Sequence, residues 1–479
     1  MASIRLGKLN RRQLFTLGAG VATASLLDPA DAPAAQAAAG SSGAIRQLTA
    51  APSEAALRGG EARPTKVWSY NGSEPGPVLR VRQGAPLRAL VRNGLAEGTT
   101  VHWHGIRLPN AMDGVPGLTQ SPIAPGGTFE YTFTPPDAGT FWYHSHADSA
   151  VQLGRGLAGA LIVEESDPPS FDRDLLWVIQ DWRLMQDGQI APGFANPMEE
   201  GMSGRVGNTV TINGRVPEAV QVRAGERLRL RLLNAASARI MSLRFEGHRP
   251  TVIALDGQPC EPHEPANERI LLGPAMRVDI VLDALGDPGR SYPVIDDFYD
   301  RLSYTLLQLV YDTAPARRAH SSAAPLRLPA NPVPRPDLAS AVWHELRLQG
   351  GMMGGTGMGT MAGMGAGAAI WAINGVSMTG DGSGDMTPLF TVQRGRSCIL
   401  DLRNETAWWH PMHLHGHSFH VISRDGVAAP HDEWSDTVLV RPRETVRVAF
   451  VADNPGDWML HCHVMDHQVA GLMTTIRVA

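Results

Sequence analysis

The chain reads as all-β, built from three sandwich domains of similar plan, and three observations carry that reading. Turn residues are abundant, with 51 Gly and 36 Pro among 479 residues, where the two together usually make up about 12%. That excess suits many short strands joined by turns rather than long helices. A motif recurs three times: Val81-x-x-Gly84 ending in Asn93, Val222-x-x-Gly225 ending in Asn234, and Val392-x-x-Gly395 ending in Asn404. Between these landmarks lie alternating segments, most clearly Arg227-Leu228-Arg229-Leu230-Arg231-Leu232, the period of a half-buried strand. The copies are too far apart for a solenoid, and the length suits about three domains of roughly 150 residues each.

The elements follow in chain order. Arg5, Lys8, Arg11 and Arg12 precede an apolar run from Leu14 to Leu27, and the small residues Ala35 and Ala37 follow. This is the pattern of a secretory signal, and the Arg11-Arg12 pair suggests the twin-arginine route. The run is too short to span a membrane. Residues 1–40 are therefore read as an export signal and the mature protein is expected in the periplasm, with no membrane span. Domains are expected at 41–165, 166–325 and 326–479, with linkers at Glu164–Asp172 and Ala314–Pro336. The net charge of −5 supplies no basic footprint for nucleic acid. Three cysteines cannot form a disulfide scaffold.

The 17 histidines are unevenly distributed. Copy one of the repeat places His102-Trp103-His104 after its Asn and copy three places His413-Leu414-His415, where copy two has Leu243-Arg244-Phe245. A second match sets His144-Ser145-His146 five residues after Gly139 and His461-Cys462-His463 five after Gly456. On a strand, residues i and i+2 share a face, so each H-x-H aims two imidazoles at one spot. Four such pairs in the outer domains predict a transition-metal cluster between them. Cys462 points to the opposite face, where His410 and His467 complete a two-imidazole, one-thiolate set of the blue-copper kind.

His102-Trp103-His104-Gly105, His144-Ser145-His146, His410 through His417 and His461-Cys462-His463 with His467 resemble the four copper motifs of the multicopper oxidases, in particular the three-domain bacterial laccase and cuprous oxidase branch. The resemblance covers essentially the whole mature chain. It implies three cupredoxin-like Greek-key β-sandwich domains, the middle one copper-free, and four copper ions. His102 and His413 would hold the type 2 copper. His104, His144, His146, His415, His461 and His463 would hold the type 3 pair, and His410, Cys462 and His467 the type 1 copper. The implied reaction takes electrons singly from a phenol, an aromatic amine or Cu(I) at type 1, passes them through Cys462, and reduces O2 to two waters. A monomer is expected.

Two positions depart from the pattern. Where many relatives carry an axial Met, this chain has Leu472, followed by Met473. Leu472 is the expected neighbour of the type 1 copper, with Met473 reaching it only through a bulge. Where several relatives carry a Glu after the second type 1 His, this chain has Gln468, which cannot supply a proton. Asp113 is the expected catalytic proton relay, with a turn role in Asp113-Gly114 as the alternative. Met352, Met353, Met358, Met361 and Met364 lie in a Gly-rich run whose soft thioethers suit Cu(I). His417, His420 and His431 are read as packing, and His248, His263, His320 and His344 show no partner pattern. Asp432, Glu433 and Asp436 are read as solvated loop acids that can rim the type 1 site, and Cys260 and Cys398 as free, with a bridge between them as the alternative. Two rivals remain: a copper-free cupredoxin-like scaffold, against which the complete donor set argues, and a copper nitrite reductase, which usually has two domains.

Overall fold

The computed structural model describes residues 44–318, 326–352, 369–380 and 386–479. The export signal, His320 and Met353, Met358, Met361 and Met364 lie outside the described residues. The described chain forms six sheets, two from each of three successive stretches, so the architecture is three β-sandwiches of the cupredoxin-like kind. In the first, strands Thr65–Tyr70, Ile45–Ala55, Leu87–Asn93 and Thr128–Phe133 make one sheet, and Gly76–Arg82, Ala158–Glu164, Gly139–His144 and His102–His104 make the other. The third sandwich sets Phe390–Val392, Met473–Val478, Gly456–Cys462, His410–Leu414 and Thr437–Val440 side by side in one of its sheets.

The repeated motif marks the crossing from one sheet of each sandwich to the other. Val81 lies in Gly76–Arg82 and Asn93 ends the strand Leu87–Asn93 of the facing sheet. The turn glycines Gly84, Gly225 and Gly395 have φ of 73°, 80° and 82°, a region that L side chains adopt only with strain. The Asn performs one task three times. Asn93 Oδ1 accepts from Leu95 N–H at 2.8 Å while its Nδ2 donates to the carbonyls of Glu97 and Ile123, both at 2.7 Å. Asn234 accepts from Ala236 N–H and donates to Arg239 and Leu272. Asn404 accepts from Thr406 N–H and donates to Trp408 and Arg441. A strand that ends inside the protein leaves carbonyls that must find donors, and one carboxamide satisfies both ends of the turn.

One buried apolar cluster runs through the first and third sandwiches, including Trp103, Phe141, Trp371 and Trp458. The middle sandwich has its own core, and Leu243 and Phe245 lie in it where the outer copies have histidine. Within each outer sandwich the two strands bearing the H-x-H motifs are neighbours in one sheet. His102 pairs across the sheet with His144, and His413 with His461.

The expectation that each H-x-H is wholly on a strand needs correction. The strands stop at His144, Leu414 and Cys462, so His146, His415 and His463 stand just beyond them. The chain must leave the sheet there, because the short helices Ser149–Gly154 and Met465–Val469 begin a few residues after the first and last of these ends.

Removing the Asn234 carboxamide strands two carbonyls, and an unmet buried polar group costs about 1–3 kcal/mol. Asn234→Ala is expected to lower the melting temperature in scanning calorimetry, with donor residues of the outer sandwiches untouched.

Candidate metal centres

All ten expected histidine ligands are at most 1% exposed, and Cys462 is fully buried. Their donor atoms converge in groups whose members lie within 4.8 Å of one another: His102, His413 and His415; His102, His104 and His144; His146, His415 and His461; and, apart from these, His410, Cys462 and His467. His463 joins the large cluster through His144, with Nε2 atoms 3.4 Å apart. The structure therefore brings together every residue that the sequence proposed.

In most of the rings the second nitrogen decides what faces the centre; His146 and His463 have no such bond among the described residues. His102 Nδ1–H donates to the carbonyl of Asp113 at 2.8 Å, and His413 Nδ1–H to that of Asp436 at 2.9 Å. His144 and His461 donate from Nδ1 to the carbonyls of Ser145 and Cys462, each at 2.9 Å. His415 Nδ1–H donates to Asp113 Oδ2 at 2.9 Å. His104 is turned the other way, its Nε2–H donating to Asp436 Oδ1 at 3.1 Å. Burial and the neighbouring imidazoles hold His104, His144, His146, His415, His461 and His463 well below the usual histidine pKa. These rings are neutral at pH 7, so the inward nitrogens carry lone pairs rather than protons.

The consequence is a test of whether a metal fits. His415 Nε2 and His461 Nε2 are 3.1 Å apart, and neither has a proton to share. His102 Nε2, His104 Nδ1 and His413 Nε2 are buried with no hydrogen-bond partner among the described residues. Unpaired lone pairs facing one another repel, and a cation between them removes the penalty. Metal–imidazole bonds of about 2.0–2.1 Å place two ligands roughly 3 Å apart.

The smaller site repeats this logic. The Thr406 hydroxyl donates to Asn404 Oδ1 at 2.8 Å and so accepts from His410 Nε2 at 2.9 Å. His467 Nε2–H donates to the carbonyl of Met202 at 2.7 Å. Both Nδ1 atoms therefore present lone pairs, 3.2 Å apart and 3.5 and 3.6 Å from Cys462 Sγ. Burial pushes His467 down to about 4 and pushes the Cys462 thiol well up. A soft thiolate with two imidazoles is a copper donor set, and a bound cation deprotonates such a thiol.

Leu472 lies in the same buried cluster as Cys462 and Trp371, whereas Met473 packs with Val115 and Met459. Met473 is paired across the sheet with His461, on the face opposite to that of Cys462. Gln468 is buried with both amide atoms unpartnered among the described residues. Asp113 is 1% exposed; beyond its bond to His415, its Oδ1 lies 3.3 Å from His102 Nδ1. Cys260 and Cys398 are buried free thiols.

Asp436 is not a solvated rim acid. It is 1% exposed and touches His104, His413 and Arg277. Burial opposes its ionisation, but the Arg277 guanidinium overrides this and holds the carboxyl well below the usual range. The sequence offered no signal for this, because Arg277 lies in another sandwich. Asp432 does stand at the surface, paired with Arg335 and His420. Glu433 is half-buried, and its desolvation raises its carboxyl. His248 does have a partner, Tyr311 Oη at 2.5 Å.

An all-β scaffold holding a many-histidine cluster beside a His-Cys-His site defines a copper oxidoreductase. Three family models described as multicopper oxidase match residues 52–168, 174–313 and 360–479. Multicopper oxidase MmcO of Mycobacterium tuberculosis is 31% identical, over 96% of this chain and 95% of its own. Laccase-1 of Cryptococcus neoformans is 28% identical, over 86% of this chain and 77% of its own. A multi-copper oxidase structure from Pseudomonas thermotolerans shares 38% identity with a TM-score of 0.81, covering 91% of this chain and 99% of that one. The multicopper oxidase of Campylobacter jejuni, described as a metallo-oxidase, shares 27% identity with a TM-score of 0.75, over 91% of each chain. The chain belongs to the multicopper oxidase family, whose members couple copper-dependent oxidation to O2 reduction.

Because ligands that repel in the metal-free protein become bonded, copper is expected to stabilise the fold. Saturation at ~1,000 times Kd is worth about 4 kcal/mol per site. Chelator-stripped protein should melt several degrees lower in calorimetry, and added Cu(II) should restore the transition.

Proposed function

We propose that this protein is an exported laccase-like or cuprous oxidase that binds four copper ions. The reading assigns type 1 to His410, Cys462 and His467, type 2 to His102 and His413, and the type 3 pair to His104, His144, His146, His415, His461 and His463. The domain limits are taken as 41–165, 166–325 and 326–479, and the N-terminal pattern as a twin-arginine signal to the periplasm. Among the described residues no helix is long and apolar enough to cross a membrane. The observation that carries the reading is the set of inward ring nitrogens that have no hydrogen-bond partner among the described residues and converge closely enough to share a metal ion.

Copper bound at these residues supplies one-electron oxidation of the reductant and four-electron reduction of O2 to water. The chain supplies the surroundings. Cys462 joins the two sites covalently, since its backbone neighbours are His461 and His463. Leu472, whose carbonyl accepts from Cys462 N–H at 3.0 Å, offers only hydrocarbon where a thioether could donate electron density, which would favour a high type 1 potential. Asp113 Oδ1 makes no hydrogen bond among the described residues and lies 3.3 Å from His102 Nδ1, so this oxygen is assigned to hold and deliver a proton beside His102 and His415. Gln468 cannot share that work.

The reductant is a phenol or aromatic amine, or Cu(I). One observation favours Cu(I). Met352, the first methionine of the Met-rich run, exchanges backbone contacts with the wall of the type 1 site. Its N–H donates to the carbonyl of Gly201 at 2.7 Å and its carbonyl accepts from Trp408 Nε1 at 2.9 Å.

Oxygen uptake with Cu(I) and with a phenol, in the wild type and in a variant lacking 352–364, separates the two. Selective loss of Cu(I) oxidation is expected; equal loss would sink the cuprous reading. Leu472→Met is expected to lower the type 1 potential by redox titration, while no shift would place Leu472 away from the copper. Asp113→Asn is expected to slow turnover about 10²-fold or more, most strongly at high pH, and full activity across pH would remove the relay role. Absence of blue colour after copper loading would favour a scaffold protein.

A further inference from the structure

The middle sandwich carries none of the ten histidines, yet it reaches the cluster with a buried charge. Arg277, at the start of strand Arg277–Asp283, is fully buried. Its two terminal nitrogens donate to both carboxylate oxygens of Asp436, at 2.9 and 2.5 Å. Its other bonds go to the carbonyls of Ala275, Asp256 and Thr140, at 3.1, 2.9 and 3.1 Å. Thr140 belongs to the first sandwich and Asp436 to the third, so one guanidinium bridges all three. Asp256, also of the middle sandwich, accepts with Oδ2 from Ser435 Oγ at 2.8 Å and from Thr437 N–H at 3.0 Å. The segment Ser435–Thr437 is thereby held through both backbone and side chains. A Cβ on Gly105, which follows His104, would collide with Arg277 and Asp436, so the ion pair lies directly against the first histidine motif.

Asp436 is the acceptor that orients two imidazoles from opposite sandwiches. It takes the proton of His104 Nε2 on its carboxylate and that of His413 Nδ1 on its carbonyl. Resting on the ligand assignment above, we propose that Arg277 is a positioning residue of the trinuclear copper site: by holding the plane of Asp436, it selects which nitrogen of His104 and of His413 faces the metal. The copper-free sandwich thus governs metal binding between the other two. An arginine is suited to the task, because its planar fork fixes a carboxylate at two points while the remaining donors anchor to main chain. A lysine has one point of attachment and cannot reproduce that hold. Partners of this kind typically change metal affinity 10–100-fold.

The test uses the full-length protein as wild type, Arg277→Lys, Asp436→Asn and the double variant Arg277→Met/Asp436→Asn, which leaves no carboxylate at 436 unpaired. Copper stoichiometry, copper affinity in a chelator competition, the blue absorption of type 1 and the electron paramagnetic resonance of type 2 are measured. In Arg277→Lys, affinity for the three cluster ions should fall tenfold or more and the type 2 spectrum should shift, with the blue band intact. Because Arg277 acts through Asp436, the double variant should lose no more than Asp436→Asn alone. Unchanged cluster affinity and spectrum in Arg277→Lys would overturn the proposal. Parallel loss of blue band and cluster copper in Arg277→Lys and the double variant would also overturn it, marking Arg277 as a folding residue. A wild type that binds no copper would instead overturn the ligand assignment on which the proposal stands.

Discussion

A neutral imidazole keeps its lone pair on a chosen nitrogen only if the proton on the other has an acceptor to hold it there. In water that condition is met without effort. In an interior where the rings are at most 1% exposed, each outward nitrogen needs a fixed acceptor, and much of the architecture answers that need. Carbonyls of Asp113, Ser145, Asp436 and Cys462 serve four rings, the carboxylates of Asp113 and Asp436 serve two more, and Met202 and Thr406 serve the smaller site. These partners select tautomers as well as orientations, so donor identity in these eight rings is settled before any metal arrives.

The same requirement explains why the three sandwiches depend on one another. The first and third share a continuous apolar core, which brings their histidine-bearing strands together but cannot set ring angles, because apolar contact has no direction. Direction comes from polar groups, most of them on the outer sandwiches themselves, and the middle sandwich fixes some of these in turn. Arg277 and Asp256 grip the segment around Asp436, and Met202 takes the proton of His467. Burying a charge such as Arg277 is tolerated only when it is fully paired, and its five polar contacts meet that condition. The Asn404 turn also takes part, since its carboxamide takes the Thr406 proton and leaves that hydroxyl free to accept from His410. A device common to all three sandwiches is thereby adapted to a candidate ligand in one of them.

Much of this was legible in the linear chain. The triplicated Val-Gly-Asn spacing identified three equivalent sandwiches because the turn demands a positive-φ glycine and a side chain able to satisfy both its ends. The H-x-H pairs identified the cluster because strand periodicity aims alternate residues together, although His146, His415 and His463 proved to stand past the strand ends, where the chain turns towards a helix or loop. Asp436 was misjudged. Flanked by other acids in a loop segment, it had the local signature of a solvated carboxylate, and only its neighbours in space mark it as buried.

What the amino-acid order determined by itself was the inventory: which residues can bind copper, that a single Cys completes the blue-copper donor set, and that the middle copy has Leu243 and Phe245 where ligands would stand. Those properties depend on residue type and short spacing, and strand geometry carries them directly. Only the tertiary structure decided which nitrogen of each ring faces inward, that Leu472 rather than Met473 shares the face of Cys462, and that Arg277 reaches across to Asp436. Those choices rest on hydrogen bonds and packing between residues remote in the chain, whose partners exist only once the sandwiches have closed on one another.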